Sequence, residues 1–287
     1  MNKRLKKKLI KVIVFACVLC IVILAGKLFT GQNSVNTGSD DFVVMLDVGQ
    51  GDSILISSNG EAALIDTGTE IGSRGLLTDI RSYGVTQLDA LIISHSHDDH
   101  SGGAEYLLKN FEIENVIVPQ FATDEKVTDL NKAMTASGAD IYTATEGMLI
   151  EIGDFDLTVL YSDNSDEDIN NRSVIIMAEA FGKKFLFTGD AETKVENALI
   201  KENINFDCDV LKVGHHGSRT SSGEKFLEIA TPKYALISVG ADNSYGHPSK
   251  EVLERLENGG AKIYRTDYEG DILLSLMNGE IVCKTQD

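Results

Sequence analysis

Histidine placement constrains this chain more than any other feature. The 287 residues include six histidines, and they fall in three places: His95, His97 and His100 within six positions, His215 beside His216, and His247 in a Gly-His-Pro turn. The first group ends the run Leu91-Ile92-Ile93-Ser94-His95-Ser96-His97-Asp98-Asp99-His100, an apolar strand leading into a ligand-rich loop. Alternation along an extended chain puts His95 and His97 on one side, within reach of one cation, while Asp99 and His100, past the bend, can turn to a second. Imidazole with carboxylate is the ligand set of Zn²⁺ and, with more oxygen, of Mn²⁺. Three further apolar runs end in polar residues of the same kind: Phe185–Phe187 before Thr188-Gly189-Asp190, Val210–Val213 before Gly214-His215-His216-Gly217-Ser218, and Ala235–Val239 before Asn243–Pro248. Sites on α/β sheets sit at such carboxyl ends of strands.

Charge divides the chain. Residues 1–30 carry seven basic residues and no acid, leaving 19 basic against 44 acidic residues over 31–287. Residues 1–29 read as a basic flank followed by a hydrophobic signal-anchor, with an uncharged run from Val12 to Gly26 that Lys11 and Lys27 lengthen by extending toward the two interfaces. Leu24-Ala25-Gly26 is a poor cleavage site, so a single-pass anchor is expected, with secretion after cleavage as the alternative. By the positive-inside rule, the rest of the chain lies outside the cytoplasm. Residues 30–41 read as a linker and 42–287 as one domain. So acidic a body argues against binding polyanions by bulk charge, although metal ions can supply local positive charge. Cys208 and Cys283 are compatible with a disulfide or with two buried thiols.

Along the domain, the pattern predicts strands at 42–46, 53–57 and 62–65, a helix over 74–83, a strand at 88–93, a helix over 103–110, a strand at 115–119 and a helix over 124–136. The order then repeats, with strands at 155–161, 173–179, 184–188, 210–213, 234–239, 262–264 and 271–276 and helices over 191–201, 222–230 and 249–258. Two such series suggest an α/β (α+β) fold with two sheets packed together and helices outside.

The motif His95-Ser96-His97-Asp98-Asp99-His100, with Asp190 and His215 downstream, resembles the metallo-β-lactamase fold hydrolases. The segments Asp47-Val48-Gly49-Gln50-Gly51-Asp52-Ser53, Ile65-Asp66-Thr67-Gly68, Phe187–Asp190, His215–Ser218 and Gly246-His247-Pro248 are more narrowly similar to the hydrolase domain of ComEC-type DNA-uptake (competence) proteins. The likeness covers roughly 42–280. It lacks the many-spanning channel portion, and Asn170-Asn171 stands where the wider family has a third histidine. The resemblance implies a four-layer αββα sandwich holding two divalent metal ions, Zn or Mn. His95 and His97 would hold the first, with Asn170 or Asn171 as a weak ligand or substrate contact; Asp99, His100 and His215 would hold the second, and Asp190 would bridge. Asp99 would also orient the nucleophile, and His247 would stabilise the transition state or protonate the leaving group. Asp47 and Asp66 are candidates for orienting a ligating histidine, Asp66 above all; Asp52 is left between a site role and capping a turn. His216 is expected just behind the ligands, and Lys212 either contacts an anionic substrate or is solvated.

The function so implied is an extracytoplasmic, membrane-anchored phosphodiesterase, with DNA as one candidate substrate and its protein partners unidentified. A phosphorylated envelope polymer is another candidate. The same metal site also serves hydrolysis of a carboxylic ester, lactone or β-lactam, and a binding protein stabilised by its metals is the reading from a different class.

Overall fold

The computed structural model describes residues 34–120 and 125–285; the expected anchor and the first residues of the expected linker lie outside them. Among the described residues no helix is long and apolar enough to cross a membrane.

Strands β1 (Phe42–Met45), β2 (Ile54–Ser58), β3 (Glu61–Ile65), β4 (Gln87–Ile92), β5 (Glu112–Val118) and β6 (Asp140–Thr143) build most of one sheet. Strands β7 (Leu149–Ile152), β8 (Phe155–Tyr161), β9 (Ile175–Ala180), β10 (Lys183–Phe187), β11 (Val210–Lys212), β12 (Tyr234–Ile237) and β13 (Lys262–Arg265) build the other, and β14 (Ile272–Met277) and β15 (Glu280–Thr285) return to the first. The orders are β15-β14-β1-β2-β3-β4-β5-β6 and β13-β12-β11-β10-β9-β8-β7. In each sheet antiparallel hairpins give way to parallel strands, β3 to β6 in one and β10 to β13 in the other.

Side-chain alternation makes the layers. On β1, Val43 and Met45 face the second sheet and meet Phe155, Leu157, Phe185 and Phe187, while Phe42 and Val44 point outward onto helices. Both faces are buried, which is why these strands read as unbroken apolar runs. Helices α1 (Ser73–Ser82), α2 (Asp98–Ser101), α3 (Ala104–Asn110) and α4 (Glu125–Ser137) follow the strands of the first sheet, and α1, α3 and α4 cover its outer face through Leu76, Ile80, Leu107 and Met134. Helices α5 (Thr193–Lys201), α6 (Glu224–Ala230) and α7 (Lys250–Asn258) cover the other through Leu199, Phe226 and Leu256; the short α8 (Thr266–Glu269) follows β13. The result is an αββα sandwich.

The edges depart from expectation. Strands β6, β7 and β15 and helices α2 and α8 are additional to the predicted elements. All four residues of β6 are exposed, and β15 alternates between exposed and half-buried, so neither carries a run of core residues. Cys208 and Cys283 are free thiols, Cys208 buried and Cys283 half-buried.

Candidate metal centre

The polar residues gather where parallel strands of both sheets end. Asp66 leaves β3 at φ 61°, a left-handed backbone that turns its carboxylate back across the end of β4. There it accepts from the Ser94 amide (2.7 Å) and hydroxyl (2.6 Å), and its Oδ2 lies 2.8 Å from His100 Nδ1. Burial pushes the Asp66 carboxyl up from its ordinary value, against the pull of His100. With Nδ1 engaged, His100 presents Nε2 to the centre.

From the other sheet, β10 delivers Asp190 and β11 delivers the histidine pair. Both histidines are left-handed, at φ 48° and 51°, in a tight turn over Gly214–Gly217. Two such residues in succession invert the order expected of them: His216 is buried, and His215 stands at the rim, 22% exposed. His216 donates from Nδ1 to the Ser238 carbonyl (2.8 Å), which leaves Nε2 facing Asp99 Oδ2 at 3.4 Å and Asp190 Oδ2 at 3.5 Å. His215 Nε2 is 3.8 Å from Asp190, and its Nδ1 faces Glu192 at 3.4 Å. The structure thus brings His216 together with Asp99, His100 and Asp190, and leaves His215 at the rim beside Asp190.

Those four residues each offer a ligand atom within 4.8 Å of the others. His100 Nε2 is 3.2 Å from Asp190 Oδ1. A tetrahedron with bonds of about 2.1 Å has edges of roughly 3.4 Å, so the observed separations match the coordination shell of a small dication. His100 Nε2, His216 Nε2 and Asp190 Oδ1 are buried and lack a hydrogen-bond partner. Such atoms carry a desolvation cost that a cation removes. Burial alone would lower the pKa of both imidazoles, yet Asp190 with Asp66 raises that of His100, and Asp190 with Asp99 raises that of His216. A pocket that attracts protons in this way also attracts dications. Burial pushes Asp190 up, but His100 and His216 outweigh it and hold it well below the carboxylate range; Asp99 is held low in the same way by His216 and His100.

On the other side of Asp190, His95 Nε2 and His97 Nδ1 face each other at 3.1 Å. Burial, with His100 beside it, pushes His95 well below its usual pKa, and Ser94 and Ser173 hydroxyls hold its Nδ1 at 3.1 and 3.3 Å. Asn170 lines the same pocket with a buried, unpartnered Oδ1, whereas Asn171 is turned away to accept from the Glu192 amide.

Two other expectations need correcting. Lys212 is fully buried: its ammonium lies 2.5 Å from Asp52 and 3.6 Å from Asp190 and donates to the Gly189 carbonyl (2.7 Å). It is not solvated. By pairing with Asp52 it keeps the Asp52–Asp66–His100 group, which also has metal-like spacing, supplied with its own cation. Asp47 is exposed and orients no histidine; its carboxylate accepts from the Gly49 amide, while its own amide donates to Asp271. Gly51 shows why this loop needs glycine: at φ 143° it packs on the Asp99 carbonyl where a Cβ would collide.

His247 and Tyr245 close the pocket, with Gln50 opposite. Gln50, Ser94, Ser173 and Tyr245 escaped the residue-by-residue reading, since none belongs to a ligand type; the Gln-Gly-Asp segment of the first loop was the one available signal.

Residues 46–241 match the metallo-beta-lactamase superfamily. The chain belongs to it. Metallo-beta-lactamase proteins are usually hydrolases with two metal ions, and the His/Asp cluster described here fits divalent ions. The chain is 34% identical over 254 residues to ComE operon protein 3 of Bacillus subtilis (strain 168), covering 82% of this chain and 33% of that protein. It is 32% identical over 246 residues to Competence protein ComA of Neisseria gonorrhoeae, covering 83% and 33%. The chain therefore spans about a third of the length of these curated relatives. Among solved structures, the metallo-beta-lactamase fold protein YhfI from Bacillus subtilis has a TM-score of 0.55 at 15% identity, over 79% of this chain and 96% of that one, a likeness of fold.

Proposed function

We propose that this metallo-beta-lactamase chain is a membrane-anchored, extracytoplasmic phosphodiesterase that uses two divalent ions, Zn or Mn, and acts on nucleic acid. The single observation that carries the hydrolytic reading is the Asp99–His100–Asp190–His216 cluster, which has ligand-like spacing and lies in the wall of an open pocket lined by Asp99, Asp190 and His216 instead of being closed off inside the protein. The resemblance to DNA-uptake proteins, with one relative named a competence protein, supports nucleic acid as the substrate.

Asp99, His100, Asp190 and His216 would hold one ion, and His95, His97 and Asp190, with the Asn170 carboxamide near, the other. When bound, such ions acidify a water molecule and place positive charge against the phosphoryl group. The chain's own residues do the rest. Asp66 and the Ser238 carbonyl fix the ring orientations of His100 and His216. Asp99, part-exposed at the pocket floor, orients the attacking water. Burial, together with His215 and His216, pushes His247 down to about 4. At neutral pH it is an uncharged ring, suited to hydrogen-bonding a phosphoryl or leaving-group oxygen more than to delivering a proton.

The test is turnover by the detergent-purified full chain, loaded with Zn²⁺ or Mn²⁺, on a labelled oligonucleotide beside a carboxylic ester and a β-lactam. Oligonucleotide cleavage that disappears in His97→Ala and Asp190→Ala supports the reading. Cleavage of the ester or β-lactam alone overturns it, and full metal occupancy without turnover of any of them points to a binding protein. For the topology, a reporter enzyme active only outside the cytoplasm, fused after Asp287, should be active.

A further inference from the structure

A phosphodiester cut at this site must be recognised by something other than positive side chains. Among the described residues, no lysine or arginine lines the pocket, and Lys212 is sealed beneath it by Asp52. What the rim does offer is an aromatic face. Tyr245 is 69% exposed, and its ring stacks on His247 with centroids 5.7 Å apart and planes 24° apart. One face is thus backed by imidazole and the other is open. The turn that presents it is braced by Asn243, whose amide donates to the Gly240 (2.9 Å) and His247 (2.8 Å) carbonyls and whose Oδ1 accepts from the His247 amide (3.0 Å). An exposed aromatic held this firmly beside a reaction centre is costly to solvate and is not explained by packing.

The geometry points to Tyr245 as the platform on which an unpaired base stacks, placing the adjoining phosphate against the metal centre beside His247. This deepens the phosphodiesterase reading and rests on it. Every base has a π-face, so stacking gives binding that tolerates sequence and needs no basic groove, which suits an acidic protein. In a duplex the bases are already stacked within the helix, so the preferred substrate is single-stranded. A polymer of alditol phosphates has no ring to offer, and this rim gives it nothing equivalent.

The experiment is fluorescence anisotropy and cleavage with the full chain and a labelled oligothymidylate, run beside an abasic strand of equal length, the corresponding duplex and a glycerol-phosphate polymer. Tyr245→Ala should weaken oligothymidylate binding between about fivefold and 150-fold, the loss falling on KM. Tyr245→Phe should bind like the unaltered protein, and the abasic strand should not distinguish the three. Cleavage of oligothymidylate with equal affinity in the tyrosine and alanine forms overturns the stacking role alone. Equal losses on the abasic strand do the same, because they mark a general collapse of the turn. If the unaltered protein neither binds nor cuts any oligonucleotide but cuts the glycerol-phosphate polymer, both this inference and the nucleic-acid reading fall.

Discussion

On one side of Asp190, three partners come from two separate segments, and two of these, His100 and His216, have their second ring nitrogen fixed by Asp66 or by the Ser238 carbonyl. On the other side, two histidines from a single strand end face each other, backed by hydroxyls, with a neutral carboxamide where the wider family has an imidazole. The first half is charged, buried and braced; the second is neutral apart from the shared Asp190 and half open. The difference predicts unequal hold on the two proposed ions: the Asp99–His100–His216 side would bind tightly and the His95–His97 side would exchange. A chain so built would keep one ion as part of its structure and take the other from its surroundings.

The contrast can be broken most sharply at the residue both halves share. Asp190→Asn should cost several kcal/mol of transition-state stabilisation, about 10³-fold in kcat, and reduce both bound equivalents in elemental analysis. A variant that keeps two ions and most of its activity would remove Asp190 from the bridging place. Next comes the histidine pair. His216→Ala should lose the tight equivalent and fall beyond the roughly 10–100-fold typical of a contact behind the ligands, while His215→Ala should keep that equivalent. The reverse outcome, read by metal titration, would restore His215 as the ligand. Asp66→Asn, which keeps shape but weakens the orientation of His100, should lower affinity for the tight ion roughly 10–100-fold and leave the exchanging one nearly unchanged.

The smallest effect lies behind the His215–His216 turn. Glu196 is buried and accepts from the Ser222 and Gly223 amides in the loop that follows it. Burial raises its carboxyl to about 7. A carboxyl that keeps its proton longer when folded stabilises the fold fully below its ordinary titration range, and that contribution fades as pH rises through about 7. The Tm difference between the natural protein and Glu196→Gln should therefore shrink from about pH 5 to about pH 8. A constant difference would mean that Glu196 titrates normally and that its amide contacts alone matter.

The sandwich was legible because its central strands are apolar on both faces, and the candidate ligands were legible because those strands end in them. What escaped has physical reasons. Strands β6, β7 and β15 lie at or near sheet edges, where burial selects few residues and the pattern fades. The burial of His216, with His215 at the rim, depends on two left-handed backbones, which no alternation rule anticipates. Lys212 was left between a substrate contact and solvation because lysine is usually exposed; its place within the apolar Val210–Val213 run was the clue that it serves Asp52 inside the protein.

Asp99 and His100 hang from one sheet, Asp190 and His216 from the other. An ion seated among them would therefore be a rivet through both plates of the sandwich, so that chelation would loosen one lip of the molecule while the hydrophobic seam at its centre held. A protease offered the stripped protein should nick first at that lip, and returning the ion should shut it again.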